Sequence, residues 1–247
     1  KTTMNTQNLF TSSLYIVQVA DASHYHFAQT ICDEMEASAK ARGTGIAKRS
    51  PDYLIQKMGE GKAIIATTRE GQWVGFCYIE TWDHGKFVAN SGLIVHPEHR
   101  KSGIATQIKE QAFNLSRRKY PDAKIIGLTT SMAVMKINSE LGYIPVPFSE
   151  LPKDDDFWKG CSSCVNYDIL NRTQRAHCLC TGMKYDPLEV KIKEEQSQEP
   201  PVWDFLKESG LYERWMRVKQ RILLRREERK KKWKTEEENK LIKKVKF

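Results

Sequence analysis

The 247-residue sequence has no run of about 18 consecutive apolar residues, the length that a membrane-spanning helix needs. Its first ten residues are polar and lack the apolar core of a secretory signal. Both absences predict a cytoplasmic protein without a membrane segment. The six cysteines are then expected to be free thiols or metal ligands, because disulfides seldom persist in that compartment.

An excess of acidic residues is also lacking, since the formal net charge is +9. Residues 203–247 hold 16 Lys and Arg against 8 Asp and Glu, so almost all of the positive excess lies in this segment. We predict a basic helical tail at 203–247 after a polar, Pro-ended linker at 193–202. No zinc-finger, helix-turn-helix or aromatic RNA-binding pattern accompanies the basic run, so a solvated helix is favoured over nucleic-acid binding.

The segment 95–106, V-H-P-E-H-R-K-S-G-I-A-T, connects an apolar β run at 87–95 to an amphipathic helix predicted at 104–119. A strand that ends in a small-residue turn and opens a helix leaves several backbone N–H groups free, and the helix dipole adds positive potential there. Gly103 and Ala105 keep side chains away from those amides. The pattern predicts a pyrophosphate site.

Periodicity along residues 13–148 predicts the element order β-α-α-β-β-β-α-β-α-β. The spacing R-x-x-G-x-A after V-H-P-E-H resembles motif A of the GNAT superfamily of acyl-CoA-dependent N-acyltransferases, and N-S-E-L-G-Y at 138–143 is similar to a helix end of that family. The resemblance covers about 13–187. It implies an α/β (α+β) GNAT fold over residues 1–192, with a mixed, mostly antiparallel, splayed sheet flanked by helices.

The resemblance also implies acetyl-CoA or succinyl-CoA as co-substrate, with the pyrophosphate at the turn and the thioester carbonyl polarised by β-strand amides. The residues that would bind it are Leu93, Ile94, Val95, Arg100, Lys101, Ser102, Gly103, Ile104, Ala105, Thr106 and Asn138. Lys101 stands where the family often has Gly, which leaves the amide donor intact. Asn138 replaces a frequent Tyr. An amide cannot protonate a thiolate, so water, or no acid at all, would serve the leaving group.

Transfer to an amine also needs a base and an open slot between strands. Glu80 is the favoured base, because burial in an apolar strand disfavours the charged form of a carboxylate and so favours proton uptake. His96 is the competing base, and an exposed, ion-paired Glu80 is the structural alternative. The Asn90-Ser-Gly92 segment predicts a bulge that separates this strand from its neighbour, as the GNAT fold does for the pantetheine arm.

The basic loop R-G-T-G-I-A-K-R supplies Arg42, Lys48 and Arg49, and a guanidinium suits a carboxylate. A solvated loop is the alternative. Together with F-C-Y-I-E-T-W and V-A-N-S-G-L-I-V, this loop resembles stand-alone bacterial GNAT proteins linked to arginine biosynthesis, which are similar to N-acylglutamate synthases. That resemblance implies acyl transfer to the α-amine of glutamate, with a homodimer as a further expectation. A protein lysine or N-terminal acetyltransferase and a non-catalytic acyl-CoA sensor remain alternatives.

A cysteine-rich insertion is predicted at 158–180, between the last two strands of such a fold. It contains C-x-x-C at Cys161 and Cys164 and C-x-C at Cys178 and Cys180, a spacing typical of metal ligands. If the C-x-C pair lies on a strand, both side chains face the same way, and the four thiolates predict one structural zinc ion. Four metal-free buried thiols are the alternative.

Overall fold

The structure, a computed structural model, describes residues 14–43 and 48–190 together with Arg217 and Gln220. The predicted linker at 193–202 lies outside the described residues. So does the predicted tail, apart from Arg217 and Gln220, which are helical and exposed. None of the helices in the described ranges is long and apolar enough to cross a membrane.

Seven strands form one sheet in the order β1-β2-β3-β4-β5-β7-β6. Their bounds are Tyr15–Val19 (β1), Ala63–Thr68 (β2), Trp73–Trp82 (β3), Phe87–Val95 (β4), Lys124–Thr129 (β5), Ile144–Val146 (β6) and Thr181–Tyr185 (β7). Only the β4–β5 pair is parallel, and every other neighbouring pair is antiparallel. The predicted mixed, mostly antiparallel sheet is therefore confirmed.

Six α-helices flank this sheet within the described residues. Their bounds are Ala28–Arg42 (α1), Pro51–Gly59 (α2), Ile104–Lys119 (α3), Met132–Glu140 (α4), Asp155–Lys159 (α5) and Tyr167–Arg172 (α6). Ser50 caps α2 by accepting a hydrogen bond from the Tyr53 amide, with Pro51 in the first turn, where its missing N–H costs nothing. Gly43 ends α1 in the left-handed conformation.

Alternation along the strands gives the sheet two apolar faces. Phe76 and Tyr78 of β3 point to the face that α1 and α2 cover, whereas Cys77 and Ile79 point to the face that α3 covers. Glu80 has the same parity as Phe76 and Tyr78. The carboxylate of Glu80 therefore lies on the α1/α2 side of the sheet.

The sheet opens between β4 and β5. These strands pair only from Phe87 with Lys124 to Ala89 with Ile126, and diverge beyond that point. One extra residue in β4 between Ser91 and Ile94 makes a bulge against β3. Gly92 sits in this bulge with φ of 65°, and a Cβ there would lie 2.4 Å from Cε1 of Tyr78. The bulge and the slot that the sequence predicts are both present.

The insertion lies where the sequence predicts it, between β6 and β7. Its helices α5 and α6 place Trp158 and Leu170 against Ala89 and Ile126 of the sheet. Two details differ from the sequence prediction. The sequence pattern predicts a strand over 143–148, but β6 has only three residues and is followed by Pro147, which cannot donate to a ladder. The C-x-C pair lies in irregular backbone directly before β7 rather than on the strand, with Cys180 in a bend.

Candidate active site

The turn that begins α3 presents a row of backbone amides without hydrogen-bond partners. Within the described ranges, the amides of residues 101–105 donate no hydrogen bond to the protein, while those of Thr106 and Gln107 both bond to the Gly103 carbonyl. Gly103 has φ of 83° and caps α3 without any side-chain cap, and a Cβ there would meet nothing within 4 Å. The turn can therefore accept an anion at the positive end of the helix.

The side chain of Arg100 points away from this turn. Its Nε donates to the Val95 carbonyl at 3.0 Å, and its Nη2 reaches Glu34 Oε1 and Ser38 Oγ, both at 2.8 Å. Arg100 therefore ties the turn to α1. Lys101 has φ of 65°, the left-handed conformation that explains why glycine suits this position.

A cavity of about 210 Å³ extends from the slot between β4 and β5 to the α1/α2 face of the sheet. Strand residues 89–93 and 126–129 line its two edges, and α3 contributes Lys109. The insertion covers the other side with Phe157, Cys161, Cys164, Tyr167 and Leu170, among others. Strand separation and insertion together make a partly enclosed site.

Glu80 lies in this cavity, 5% exposed, and both of its carboxylate oxygens have partners. Tyr53 donates its hydroxyl to Oε1, and Arg49 Nη2 lies 3.7 Å from Oε2. Arg49 also donates from Nε to the Tyr78 hydroxyl at 3.0 Å. The predicted base and one predicted acceptor-binding residue therefore form a single cluster.

The charge state of this cluster follows from its surroundings. Burial and then the negative charge of Glu80 raise the pKa of both Tyr53 and Tyr78, so the two phenols stay protonated. Burial opposes the charge on Arg49, but Tyr78, Glu80 and Tyr53 outweigh it and raise the pKa of that guanidinium. The cluster therefore holds a carboxylate between a phenol donor and a cation.

The three basic residues predicted to bind the carboxylates of the acceptor are separated in the structure. Arg42 lines the cavity, and its Nε donates to the Ser38 carbonyl. Arg49 lines it too, but shares its charge with Glu80. Lys48 does not line the cavity: its side chain is 70% exposed and pairs with Glu36 at 3.5 Å. The intervening residues 44–47 lie outside the described part of the chain.

His96, the competing base, is not placed with Glu80. It follows the last residue of β4, and its ring packs edge-on against Trp73 and beside His99. It is not among the cavity-lining residues. Since Glu80 pairs with Ala89, near the other end of β4, about six residues or ~20 Å of strand separate the two candidates.

The predicted co-substrate residues are also divided. Leu93 and Asn138 line the cavity, Ile94 and Val95 belong to the buried core, and residues 100–106 form the turn outside the cavity wall. Asn138 is 1% exposed. Its Nδ2 reaches only Met183 Sδ, at 3.6 Å, and its Oδ1 has no partner among the described residues.

Several cavity residues were not identified from the sequence. These are Tyr78, Trp82, Lys109, Phe157 and Asn166. Tyr53, which donates to Glu80 without lining the cavity, is a further residue that the sequence does not identify. Lys109 did have a signal, because it lies on the apolar face of α3 beside Ile108 and Ala112. The others are contributed by separate elements, so spacing along the chain does not reveal them.

The four cysteines of the insertion all line the cavity. The Cys180 thiol donates to Cys178, which lowers the pKa of Cys178 to about 6, whereas burial raises the pKa of Cys161 to about 11. No group of three or more His, Cys, Asp or Glu in the described part of the chain is arranged to hold a metal ion. The predicted zinc site is therefore not confirmed. The C-x-C pair lies in irregular backbone before β7, and its two sulfurs contact each other.

Residues 49–136, which run from Arg49 through the turn into α4, match the sequence model of the Acetyltransferase (GNAT) family. That match, the splayed seven-stranded sheet and the open amides at the start of α3 agree with one another. Residues 49–136 thus carry the sequence pattern of a GNAT acetyltransferase domain, in a chain whose sheet has the matching splayed form. No curated protein sequence matches the chain significantly.

Two solved structures share this fold. N-acetylglutamate synthase from Neisseria gonorrhoeae, solved with coenzyme A and N-acetyl-glutamate, is 14% identical with a TM-score of 0.50, over 70% of this chain and 35% of that one. Rv2747 from Mycobacterium tuberculosis, solved with CoA and NLQ, is 13% identical with a TM-score of 0.50, over 69% of this chain and 98% of that one. The chain thus spans about a third of the Neisseria gonorrhoeae synthase.

Proposed function

We propose that the chain transfers an acyl group from acetyl-CoA or succinyl-CoA to the α-amine of a small acidic amino acid, most specifically glutamate, as in the first step of arginine biosynthesis. One observation carries the proposal: the slot between β4 and β5 leads into a partly enclosed cavity that two arginines and a buried glutamate line.

The turn and the slot support an acyl-CoA donor. Free amides at residues 101–105 suit a pyrophosphate, and the unpaired edge of β4 beyond Ala89 can hold an extended amide-containing arm by backbone hydrogen bonds. Leu93 lines the cavity at this edge. That the two similar structures were solved with CoA supports the same choice.

The covered cavity supports a small acceptor. Phe157 of the insertion packs against Trp82 with ring centres 5.6 Å apart, and the backbone amide of Lys48 donates to Ser163 of the insertion. These contacts draw the insertion over the α1/α2 face, which restricts access for a peptide. The N-acetyl-glutamate in the Neisseria gonorrhoeae structure is a small acceptor product of this type.

Arg42 supports an acidic acceptor. Among the described residues no carboxylate pairs with its guanidinium, although it lines the cavity. Arg49 is already neutralised in part by Glu80 at 3.7 Å. We therefore assign the side-chain carboxylate of the acceptor to Arg42 and the orientation of Glu80 to Arg49 and Tyr53.

Glu80 is the proposed base, acting through a water molecule. It removes a proton from the acceptor ammonium, and the free amine then attacks the thioester carbonyl. The tetrahedral intermediate is stabilised by a β4 amide, loses the second amine proton to solvent, and collapses to the amide with release of the CoA thiolate. Asn138 cannot protonate that thiolate, so solvent does so.

A thiol-release assay tests the proposal with both donors and three acceptors: glutamate, glutamine and a lysine-bearing peptide. We expect glutamate to exceed glutamine in kcat/KM by about 10- to 100-fold, because one charge-assisted hydrogen bond is worth ~1.5–3 kcal/mol. Arg42→Ala should remove that preference mainly through KM, while Lys48→Ala, a surface control, should not. Peptide as the best acceptor, or equal rates for glutamine and glutamate, would refute the acidic acceptor.

We keep three expectations as proposals that the sequence supports: one structural zinc ion on Cys161, Cys164, Cys178 and Cys180, a homodimer, and a cytoplasmic location. The shared position of the four thiols on one cavity wall supports the first. Elemental analysis of protein purified without added metal should give close to one zinc per chain. Less than about a tenth of that, with stability unchanged by chelators, would remove the zinc proposal.

A further inference from the structure

Lys109 is a buried amine without a counter-charge. The residue is 2% exposed on α3, and its Nζ lies 3.5 Å from Asn90 Oδ1 and 5.4 Å from the centre of the Tyr143 ring. No carboxylate of the described residues forms an ion pair with it. A buried cation is costly unless an anion compensates it, so this position is unfavourable without a ligand.

The neighbours of Lys109 are neutral and already engaged with one another. Tyr143 donates its hydroxyl to Asn90 Oδ1 at 2.9 Å, and Asn90 Nδ2 donates to Ser116 Oγ at 2.8 Å. The thiol of Cys77 donates to the Ser91 carbonyl. Burial accordingly lowers the pKa of Lys109. The network fixes the position of the amine but supplies no negative charge to it.

The amine lies at the closed end of the slot. Helix α3 runs back from the turn along β4, and six residues, or ~9 Å of helix, separate Gly103 from Lys109. Along β4, Val95 is five residues, or ~17 Å, from Asn90, which Lys109 contacts. If the donor's phosphates occupy the turn, its acyl end lies near Lys109.

Asn138 provides a second polar group at the same end. It lines the cavity, and its Nδ2 would lie 3.5 Å from a Cβ on Gly127 of β5, the strand that faces β4 across the slot. Within the described ranges, the only hydrogen bond of its side chain is the weak contact to Met183 Sδ at 3.6 Å. An amide that is 99% buried with so poor a partner is available to a polar ligand.

We propose that Lys109, assisted by Asn138, binds a carboxylate at the far end of the donor's acyl group, so that the site selects a dicarboxylic acyl-CoA such as succinyl-CoA over acetyl-CoA. This inference rests on the proposed function, because it assumes that the slot holds the acyl-CoA. It adds no covalent step. It assigns the class of acyl-CoA that the site prefers. The turn alone does not determine this class, because the turn contacts only the phosphates of the acyl-CoA.

Calorimetric titration of the full chain with succinyl-CoA, butyryl-CoA and acetyl-CoA tests the inference. Butyryl has the same four-carbon chain as succinyl without the carboxylate. We expect succinyl-CoA to bind about 10- to 100-fold more tightly than butyryl-CoA. Lys109→Met should abolish this difference and leave butyryl-CoA binding unchanged. Lys136→Met, at an exposed α4 lysine, is the matched control and should keep the preference.

Equal affinities of the wild-type protein for succinyl-CoA and butyryl-CoA would overturn the inference, as would an equal loss for both thioesters in Lys109→Met. Should that variant fail to fold, Lys109→Gln, which retains a donor toward Asn90, carries the same expectations. Binding is measured without acceptor. A succinyl preference without turnover on glutamate would therefore count against the proposed function and not against Lys109, whereas no binding of any thioester would refute both.

Discussion

The turn at the start of α3 and the cavity around Glu80 belong to one site, but they are built in opposite ways. The turn is seven consecutive residues, 100–106, and its binding groups are backbone amides that the left-handed Gly103 exposes. The cavity is lined by Glu80 of β3, which accepts from Tyr53 of α2, and by Lys109 of α3, all from separate elements. The turn is thus specified locally, whereas the cavity depends on the whole sheet and the insertion.

This difference predicts different responses to mutation. A backbone site loses function only when a side chain blocks it or a residue changes its conformation. A side-chain site loses function when one group is removed, even if the backbone stays unchanged. Substitutions at Glu80, Gly103 and Lys101 separate the two regions.

Glu80→Gln should lower kcat by about 10²- to 10⁴-fold with little change in acyl-CoA affinity, since general-base catalysis contributes that much. Gln keeps the size of the side chain and can still accept the Tyr53 hydrogen bond, so the cavity should remain intact. The loss should shrink as pH rises toward the pKa of the acceptor ammonium, because a free amine needs no base. Steady-state kinetics against pH, with calorimetry for the donor, measures both effects.

Glu140→Gln is the control for this substitution. Glu140 is half exposed and pairs with Lys136 on the surface of α4 at 3.8 Å, so its loss should leave kcat within about twofold. A loss in Glu80→Gln that is constant across pH would assign Glu80 a structural role with Arg49. In that case the cavity would have no catalytic carboxylate to contrast with the backbone amides of the turn.

Gly103→Asp should weaken acyl-CoA binding by about 10- to 100-fold, because a carboxylate replaces open space beside the phosphates. Gly71→Asp in the β2–β3 turn is a closely matched control. Gly71 also has φ of 83°, and a Cβ added there would likewise have nothing within 4 Å. Both variants should lose similar stability, but only Gly103→Asp should lose affinity. Equal CoA affinities by calorimetry would remove the phosphate site from this turn.

The same contrast explains what the sequence could predict. The bounds of α3, the small-residue turn before it and the β4 bulge follow from local residue types, so they agree with the structure. The assignment of Lys48 to the cavity does not hold, because a basic loop carries no information about which side chains point inward. The Glu80, Tyr53 and Arg49 cluster depends on the packing of α2 against β3, which no short pattern encodes.

Lys109 shows an intermediate case. A lysine among Ile104, Ile108 and Ala112 on the buried face of α3 breaks the amphipathic pattern, and that irregularity is visible in the sequence. What it meets is not visible, because Asn90 and Tyr143 come from β4 and from the turn before β6. A local violation can therefore identify a functional position before its partners are known.

Lys101→Gly gives the smallest expected effect and tests the turn's conformation alone. Lys101 has φ of 65°, which costs a non-glycine residue about 1–2 kcal/mol. Glycine removes that strain but adds freedom to the unfolded chain, so the comparison is made with Lys101→Ala, which loses the same charge. We expect Lys101→Gly to exceed Lys101→Ala in stability by about 1 kcal/mol in urea unfolding.

The pair Lys136→Gly and Lys136→Ala, inside α4, is the control. It should show the opposite order by a similar amount, since glycine disfavours a helix. If both positions favour alanine, Lys101 is not left-handed in solution, and the amides of the turn do not converge on one anion. If glycine is more stable than alanine only at position 101, and both Lys101 variants bind acyl-CoA about equally, then the backbone amides rather than the lysine charge bind the phosphates.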